Sequence, residues 1–154
     1  MTIQTVMVIG AGQMGSGIAQ VCAQAGFDVK LNDMKPEFFE RGLGVIAKNL
    51  SRDVEKGRKT EEEKQAILSR ITMSLTLQDA ADVDIVIEAA VENMDIKQSI
   101  FKQLDEIAPK HAILATNTSS LPITEIGAVT KRPQQVIGMH FMNPVPVMKL
   151  VEII

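Results

Sequence analysis

Two side chains that can exchange a proton, His140 and Glu152, flank a short segment that contains two prolines. Pro144 and Pro146 rule out a helix there and favour an extended or turning chain. If the chain reverses about Pro146, His140 and Glu152 face each other. A carboxylate beside an imidazole fixes the tautomer of the ring and stabilises the imidazolium, so the histidine becomes a better base. The pattern therefore predicts a general acid–base pair; the alternative is a surface histidine and an unrelated glutamate.

A glycine motif near the start of the chain predicts a site for a dinucleotide. Residues 10–15 read GAGQMG, a G-x-G-x-x-G pattern that follows an apolar run and opens a helical stretch. Gly10 permits a tight turn, Gly12 lets the backbone approach a pyrophosphate, and Gly15 lets the helix pack close to the strand. The helix start offers N–H groups and a positive dipole end to phosphates. The predicted contacts are Gly10, Gly12, Gln13, Met14 and Gly15; the alternative is a turn without a ligand.

An acidic residue follows the motif at the distance expected for a contact to a ribose. Asp33 lies 18 residues after Gly15, at the end of the second predicted strand. A carboxylate at this position accepts hydrogen bonds from the adenosine ribose hydroxyls and repels a 2′-phosphate. Lys35 nearby leaves NADP open, but the carboxylate favours NAD. We therefore predict NAD as the cofactor.

The elements that must position these residues alternate in type along the chain. Short β-branched runs alternate with helical stretches, which is typical of a parallel α/β sheet. Residues 36–70 are charged and helical, and Thr60-x-x-Glu63 is a capping-box pattern, so we expect a pair of helices inserted after the second strand. The predicted strands are Thr5–Ile9, Phe27–Asn32, Ile71–Leu75, Asp84–Ile87, Ala112–Thr116, Val136–Phe141 and Val147–Ile154, with further helices at Gln13–Ala25 and Asp95–Ala108. The prediction is a Rossmann-type, doubly wound, mostly parallel sheet over residues 1–154.

Polar residues follow two of the predicted strands at the edge where ligands bind in open α/β sheets. His140 lies at the carboxyl end of the sixth predicted strand, and residues Asn117–Ser120 follow the fifth. The short side chains of Asn117–Ser120 can hold a substrate oxygen or the nicotinamide ribose; the alternative is a turn whose serine caps a helix. His111 precedes a strand, at the opposite edge, and is expected to be a surface residue.

Composition excludes several other classes of protein. Of 154 residues, 45% are hydrophobic and the net charge is −3, which excludes disorder and argues against binding to nucleic acid or to an anionic membrane. The chain has no Tyr, so dehydrogenases with a tyrosine acid/base are excluded. One cysteine, Cys22, and two histidines indicate that no His/Cys metal site is present. No apolar run approaches about 20 residues and the N-terminus lacks signal-peptide features, so we expect a cytoplasmic protein.

Taken together, the motifs resemble those of the L-3-hydroxyacyl-CoA dehydrogenase family, and most of all its bacterial 3-hydroxybutyryl-CoA members. The resemblance covers the whole chain and is carried by residues 10–15, Asp33, Glu88–Asn93, Asn117–Ser120 and the run HFMNPVPVMKLVE from His140 to Glu152. The last run is far more specific than the glycine motif. The resemblance implies reversible, NAD-linked oxidation of (S)-3-hydroxybutyryl-CoA to acetoacetyl-CoA.

The resemblance also implies a role for each matching residue. His140 would be the general acid/base, and Glu152 the carboxylate that orients it. Ser119 would lie near both the substrate oxygen and the nicotinamide ribose, with Asn143 beside the reacting centre. The family's contacts to the nicotinamide half of NAD fall on Glu92 and Lys97.

A basic stripe in the inserted helices suggests where the CoA part of a substrate would lie. Lys48, Arg52 and Lys56 are spaced by four residues, so they share one face of a helix. The family binds CoA near these helices, and a basic stripe suits its phosphates. By position, Asn49 and Lys56 best match the family's CoA contacts. The alternative is a solvated helix face.

The chain differs from the family in length. The family carries a second, all-helical domain with a further active-site Asn and most of a homodimer interface, whereas this sequence stops at Ile154. We therefore expect an isolated NAD-binding domain with weak or no turnover and with exposed apolar surface. Two other functions stay open: a nucleotide-binding module without turnover, and a dehydrogenase of a free hydroxy acid. Retention of His140, Glu152 and Ser119 argues against the first, and the basic stripe against the second.

Overall fold

The computed structural model describes residues 2–90, 92–117, 121–148 and 151–153. For Glu152, within the last range, it describes the backbone alone. Its strands are β1 (Thr5–Ile9), β2 (Asp28–Asn32), β3 (Ile71–Ser74), β4 (Ile85–Glu88), β5 (Ile113–Thr116), β6 (Val136–Phe141) and β7 (Val151–Ile153). Its α-helices are α1 (Gln13–Gln24), α2 (Pro36–Glu55), α3 (Glu61–Ser69), α4 (Met94–Ile107) and α5 (Ile123–Gly127). Two short 3₁₀ helices span Leu77–Asp82 and Pro133–Gln135.

The strands form one sheet in the order β3-β2-β1-β4-β5-β6-β7. Strands β1 to β6 pair in parallel, and β7 is antiparallel to β6. The order reverses at β1, whose neighbours are β2 and β4, and a crevice opens at the carboxyl ends of these strands. The prediction of a doubly wound, mostly parallel, Rossmann-type sheet is confirmed.

Both faces of the sheet are covered by helices, which explains why β1 is almost continuously apolar. Val6 and Val8 point into a core shared with α1, α2 and α3. Met7 and Ile9 point into a second core, shared with α4 and α5. Each of these four side chains is at most 5% exposed. Successive residues of β1 therefore serve opposite layers of the fold.

The predicted pair of helices is present between β2 and β3 as α2 and α3. The capping box at the start of α3 forms as expected: Thr60 Oγ1 accepts a hydrogen bond from the Glu63 N–H at 3.1 Å, and Glu63 Oε1 accepts one from the Thr60 N–H at 3.1 Å. Helix α2 lies close to the turn after β1, because a Cβ built on Gly42 would lie 2.8 Å from the Ala11 carbonyl oxygen. The inserted helices thus border the glycine motif.

The prediction of a strand beginning at Val147 is wrong. The backbone N–H groups of Val147 and Met148 both donate to the Pro144 carbonyl oxygen, at 3.1 and 3.0 Å, so the chain turns here, and β7 comprises Val151–Ile153 within the described residues. Helix α5 and the two 3₁₀ helices were not predicted, because they are too short for a hydrophobic period to reveal them. In the described part of the chain, no helix is long and apolar enough to cross a membrane.

Candidate functional site

The glycine motif forms the turn from β1 into α1, as predicted. Gly10 has a φ of +103°, and a Cβ there would lie 2.7 Å from the Ala89 carbonyl oxygen. A Cβ on Gly15 would lie 1.6 Å from the Gly10 carbonyl oxygen. At Gly12, in contrast, a Cβ would meet no heavy atom of the described residues within 4 Å. The fold requires the first and third glycines, whereas the second leaves room for something outside the protein.

The start of α1 presents its backbone N–H groups toward this free space. Gln13 and Met14 open the helix, and within the described residues no side chain caps it at Gly12 and no acidic residue lies in its first turn. The unpaired N–H groups and the helix dipole make such an end a site for anions. This geometry suits a phosphate group.

Asp33 lies directly after β2, against the glycine motif. Its Oδ2 accepts a hydrogen bond from the Ala11 N–H at 2.8 Å, and its Oδ1 accepts one from the Met34 N–H at 2.7 Å. Each carboxylate oxygen can accept a second bond. The carboxylate is therefore fixed in position and still able to receive ribose hydroxyl groups.

A cavity of about 710 Å³ lies between the glycine motif, Asp33 and the carboxyl end of β4. A dinucleotide needs a concave, mostly apolar site with a few polar anchors. Sequence reasoning missed the apolar part of the lining, which comes from residues just after β3 and from the first turns of α4. These residues are Leu75, Leu77, Ile96 and Ile100. Their position at the carboxyl edge of a parallel sheet, where ligands bind, was the signal in the sequence that could have identified them as lining residues.

The backbone places His140 opposite Glu152. In the antiparallel pair of β6 and β7, the Cα partners include His140 with Glu152, and Phe141 with Val151. Directly opposed residues point to the same face of a sheet, with Cβ atoms about 4.5–5.5 Å apart. The predicted reversal of the chain is confirmed for the backbone. The contact between imidazole and carboxylate stays a prediction, because the Glu152 side chain lies outside the described residues.

The turn after His140 rests on α1, which brings the two ends of the site together. A Cβ on Gly17 would lie 2.9 Å from Val145 Cβ, so glycine lets the turn approach the helix. The Gln13 Nε2 donates a hydrogen bond to Asn143 Oδ1 at 3.3 Å. Gln13, predicted to contact the cofactor phosphates, is thus in direct contact with Asn143, predicted to lie beside the reacting centre.

The basic stripe is exposed, and the neighbouring Asn49 lines a smaller cavity. Lys48 and Arg52 on α2, and Lys56 directly after it, are exposed and form no ion pair among the described residues. Asn49 lies on the same face and donates through Nδ2 to Gln20 Oε1 at 3.2 Å. Asn49 also lines a cavity of about 190 Å³ together with Gln13 and Asn143. Of the four predicted substrate contacts in α2 and just after it, Asn49 reaches this cavity.

Lys97 is buried rather than exposed toward a ligand. Its side chain is 1% exposed and its Nζ lies 2.5 Å from Oε1 of the fully buried Glu88. Nζ also lies 3.8 Å from Oε1 of Glu92, whose side chain is half exposed. Sequence analysis gave roles to Lys97 and Glu92 and none to Glu88, which forms the ion pair with the lysine.

Three further predictions concern residues around these strands. Ser119 lies outside the described residues, so its role stays a prediction. Asn117 Oδ1 accepts the N–H of Phe141 at 2.9 Å, and this bond ties the end of β5 to the end of β6 beside His140. His111 is exposed at the opposite edge, with its Nε2 2.9 Å from Asp84 Oδ1. No group of three or more potential metal ligands forms within the described ranges.

Comparison with known proteins gives the family. Residues 5–154 match the family model described as "3-hydroxyacyl-CoA dehydrogenase, NAD binding domain". The chain belongs to this family. The prediction of NAD as the cofactor is confirmed, and so is the family resemblance.

Relatives of this 3-hydroxyacyl-CoA dehydrogenase domain are longer than the chain. It is 62% identical to a probable 3-hydroxybutyryl-CoA dehydrogenase of Bacillus subtilis, covering 100% of this chain and 54% of that protein. It is 44% identical to the 3-hydroxyadipyl-CoA dehydrogenase of Escherichia coli, over 99% of this chain and 32% of that one. The solved (S)-3-hydroxybutyryl-CoA dehydrogenase of Ralstonia eutropha superposes with a TM-score of 0.96 at 47% identity, over 99% and 54% of the two chains. The chain spans about half the length of the Bacillus and Ralstonia proteins.

Proposed function

We propose that this chain provides the cofactor-binding and proton-transferring part of an NAD-dependent 3-hydroxyacyl-CoA dehydrogenase. The reaction is the reversible oxidation of (S)-3-hydroxybutyryl-CoA to acetoacetyl-CoA. The observation that carries the proposal is the pairing of His140 with Glu152 at the end of β6. The turn that follows His140 contacts the glycine-motif helix through Asn143 and Gln13, so an acid–base group lies beside a dinucleotide site.

The residues present fit NAD. The space beyond Gly12 and the N–H groups of Gln13 and Met14 suit the pyrophosphate, and Asp33 suits the adenosine ribose. The apolar wall of the larger cavity suits the adenine ring. When bound, NAD supplies the acceptor for the hydride that leaves the substrate carbon.

The chain's own part in the reaction is the movement of a proton. His140 takes the hydroxyl proton of the substrate during oxidation and returns it to the carbonyl oxygen in the reverse direction. Glu152, opposite it, holds the ring tautomer and stabilises the imidazolium. Ser119 and Asn143 would hold the substrate oxygen and the nicotinamide end in place. Glu92 would contact the nicotinamide half of the cofactor, and the buried Lys97, whose Nζ lies 3.8 Å from the Glu92 carboxylate, would support that contact.

The CoA part of the substrate would lie along α2. Lys48, Arg52 and Lys56 offer three exposed cations to its phosphates, and Asn49 lies beside the smaller cavity that reaches Asn143. The acyl length is left open, because one relative is named for a four-carbon substrate and another for 3-hydroxyadipyl-CoA. A homodimer formed through a further domain and a cytoplasmic location stay predictions.

The proposal is tested on the 154-residue chain with NADH and acetoacetyl-CoA, by following the nicotinamide absorbance at about 340 nm. Oxidation of NADH is expected, weak because closure by a second domain would exclude water from the site. His140→Ala should abolish turnover and leave the Kd for NADH nearly unchanged. His111→Ala, at the opposite edge, is the matched control and should change neither.

Three results would contradict the proposal. Equal rates with acetoacetyl-CoA and free acetoacetate would remove any role for a CoA site. A collapse of NADH affinity in His140→Ala would make that histidine structural. Absence of turnover that persists in a chain extended past Ile154 would refute the assigned chemistry, and NADH binding without turnover in both chains would favour a nucleotide-binding module.

A further inference from the structure

The last residue of β4, Glu88, is a carboxylate buried beside the cofactor cavity. It is 0% exposed and forms an ion pair with Lys97, which is 1% exposed. Taking two charges out of water is costly, and a buried ion pair gives little net stability compared with apolar residues of similar size. Stability alone therefore does not account for a buried pair at this position.

Both oxygens of Glu88 are engaged, and they join three parts of the fold. Oε1 accepts hydrogen bonds from Lys97 Nζ on α4 and from Thr116 Oγ1 at the end of β5, at 2.5 and 2.7 Å. Oε2 accepts the backbone N–H of Ala90 at 2.6 Å. The carboxylate thus fixes α4, β5 and the segment after β4 at one point.

The segment that Glu88 holds is a wall of the cofactor cavity. Ala89 and Ala90 both line that cavity. The Ala89 N–H donates to the Ile9 carbonyl oxygen at 2.8 Å, and the Ala89 carbonyl oxygen lies only 2.7 Å from the position of a Cβ built on Gly10. A shift of Ala90 would therefore move the backbone that packs directly against the glycine motif.

Lys97 is held from its buried side and faces a half-exposed carboxylate on the other. Its Nζ lies between Glu88 Oε1 and Glu92 Oε1, at 2.5 and 3.8 Å. The Glu88 carboxylate is held in place by its hydrogen bonds to Ala90 and Thr116, so it determines the position of the Lys97 ammonium group. The ammonium group in turn attracts the Glu92 carboxylate.

We propose that Glu88 is a positioning residue for the cofactor. It sets the Ala89–Ala90 wall with one oxygen and aims the Lys97 ammonium toward Glu92 with the other. The inference rests on the proposed function, since it assumes that NAD occupies the larger cavity and that Glu92, with Lys97 behind it, faces its nicotinamide half.

The test replaces the charge without changing the size of the side chain. A glutamine at position 88 has one acceptor oxygen, so in Glu88→Gln either Ala90 or Lys97 faces an N–H₂ group. The Kd for NADH is expected to rise about tenfold, and the thermal unfolding midpoint to fall. In the double variant Glu88→Gln, Lys97→Met, the amide can turn to accept from Ala90 and donate to Thr116, so most of the stability should return.

The double variant separates positioning from folding. If Glu88 acts through Lys97 as proposed, the midpoint recovers and the Kd for NADH of the double variant equals that of Lys97→Met alone, at least about fivefold above that of the wild type. Effects of the two substitutions that multiply would mean that Glu88 does not act through Lys97. Asp105→Asn is the matched control, because it breaks another buried pair, Arg132 Nε with Asp105 Oδ1 at 2.9 Å, away from the cavity. It should lower the midpoint and leave NADH binding unchanged.

The outcomes that overturn the inference are distinct from failure of the proposed function. Wild-type affinity in Glu88→Gln, recovered affinity in the double variant, or an equal loss of affinity in Asp105→Asn would each reduce Glu88 to a structural role. Failure of the wild-type chain itself to bind NADH would instead refute the proposed cofactor site.

Discussion

Replacing Gly12 by alanine adds one methyl group to the turn between β1 and α1. The new Cβ would meet no described atom within 4 Å, and the φ of −74° and ψ of −163° at this residue are open to alanine. Removing a glycine from the unfolded chain stabilises by about 0.4–1 kcal/mol, which corresponds to about 1–4 °C in unfolding midpoint for a domain of this size. Gly12→Ala should therefore be as stable as the wild type or slightly more stable.

The same methyl group would occupy the space assigned to the pyrophosphate, so the Kd for NADH should rise at least about tenfold. Gly15→Ala is the contrasting variant. Its Cβ would lie 1.6 Å from the Gly10 carbonyl oxygen, so the helix must shift, at a cost of about 3 kcal/mol or more. Its midpoint should fall by roughly 6–12 °C.

The assay combines thermal unfolding by circular dichroism with a titration of NADH fluorescence. The chain contains no Trp and no Tyr, so nicotinamide emission is measured without interference from protein fluorescence. Binding is measured well below the unfolding midpoint of each variant. Unchanged NADH affinity in Gly12→Ala, or a loss of stability as large as that of Gly15→Ala, would refute the assignment of the free space to a ligand.

Two further predictions concern charge. The pKa of Asp84 is lowered from 3.8 to about 2, first by the Gln4 backbone N–H, then by hydrogen bonds from His111 and Thr5. Because the folded-state pKa is depressed, this contribution to stability is present above pH about 4 and is lost as the pH falls toward 2. In Asp84→Asn the acid limb of a stability–pH curve should therefore flatten, and an unchanged limb would contradict this origin. On α2, Arg52→Glu should raise the Kd for coenzyme A about two- to fivefold at low salt, measured by calorimetry. Lys102→Glu, on the exposed face of α4, should not, and an equal effect would mean that CoA responds only to net charge.

The parts of the site that the sequence predicted are those fixed by local rules. Two prolines exclude a helix between His140 and Glu152 and favour an extended or turning chain, and a reversal about Pro146 brings these two residues opposite each other. The glycine motif is also predicted by a local rule, because the backbone geometry of a single turn requires glycine at positions 10 and 15.

The parts that were missed depend on partners distant in sequence. Glu88 reads as the end of an apolar strand, and only the approach of Lys97 and Thr116 makes its burial possible. The apolar lining from Leu75 and Ile96 comes from two elements that meet only once the sheet has formed. The turn at Val147 and Met148 depends on the Pro144 carbonyl oxygen, which accepts hydrogen bonds from both backbone N–H groups, and composition does not reveal this turn.

The alternation along β1 has a consequence for how the domain unfolds. Val6 and Val8 belong to one core, and Met7 and Ile9 to the other, so neither helical layer can detach without exposing a strand that the opposite layer needs. Layers that share their central strand lose their packing together, and such coupling produces a single cooperative transition without a half-folded species. A substitution that weakens the packing of either layer is therefore expected to lower the stability of the whole domain, including the glycine motif that begins where β1 ends.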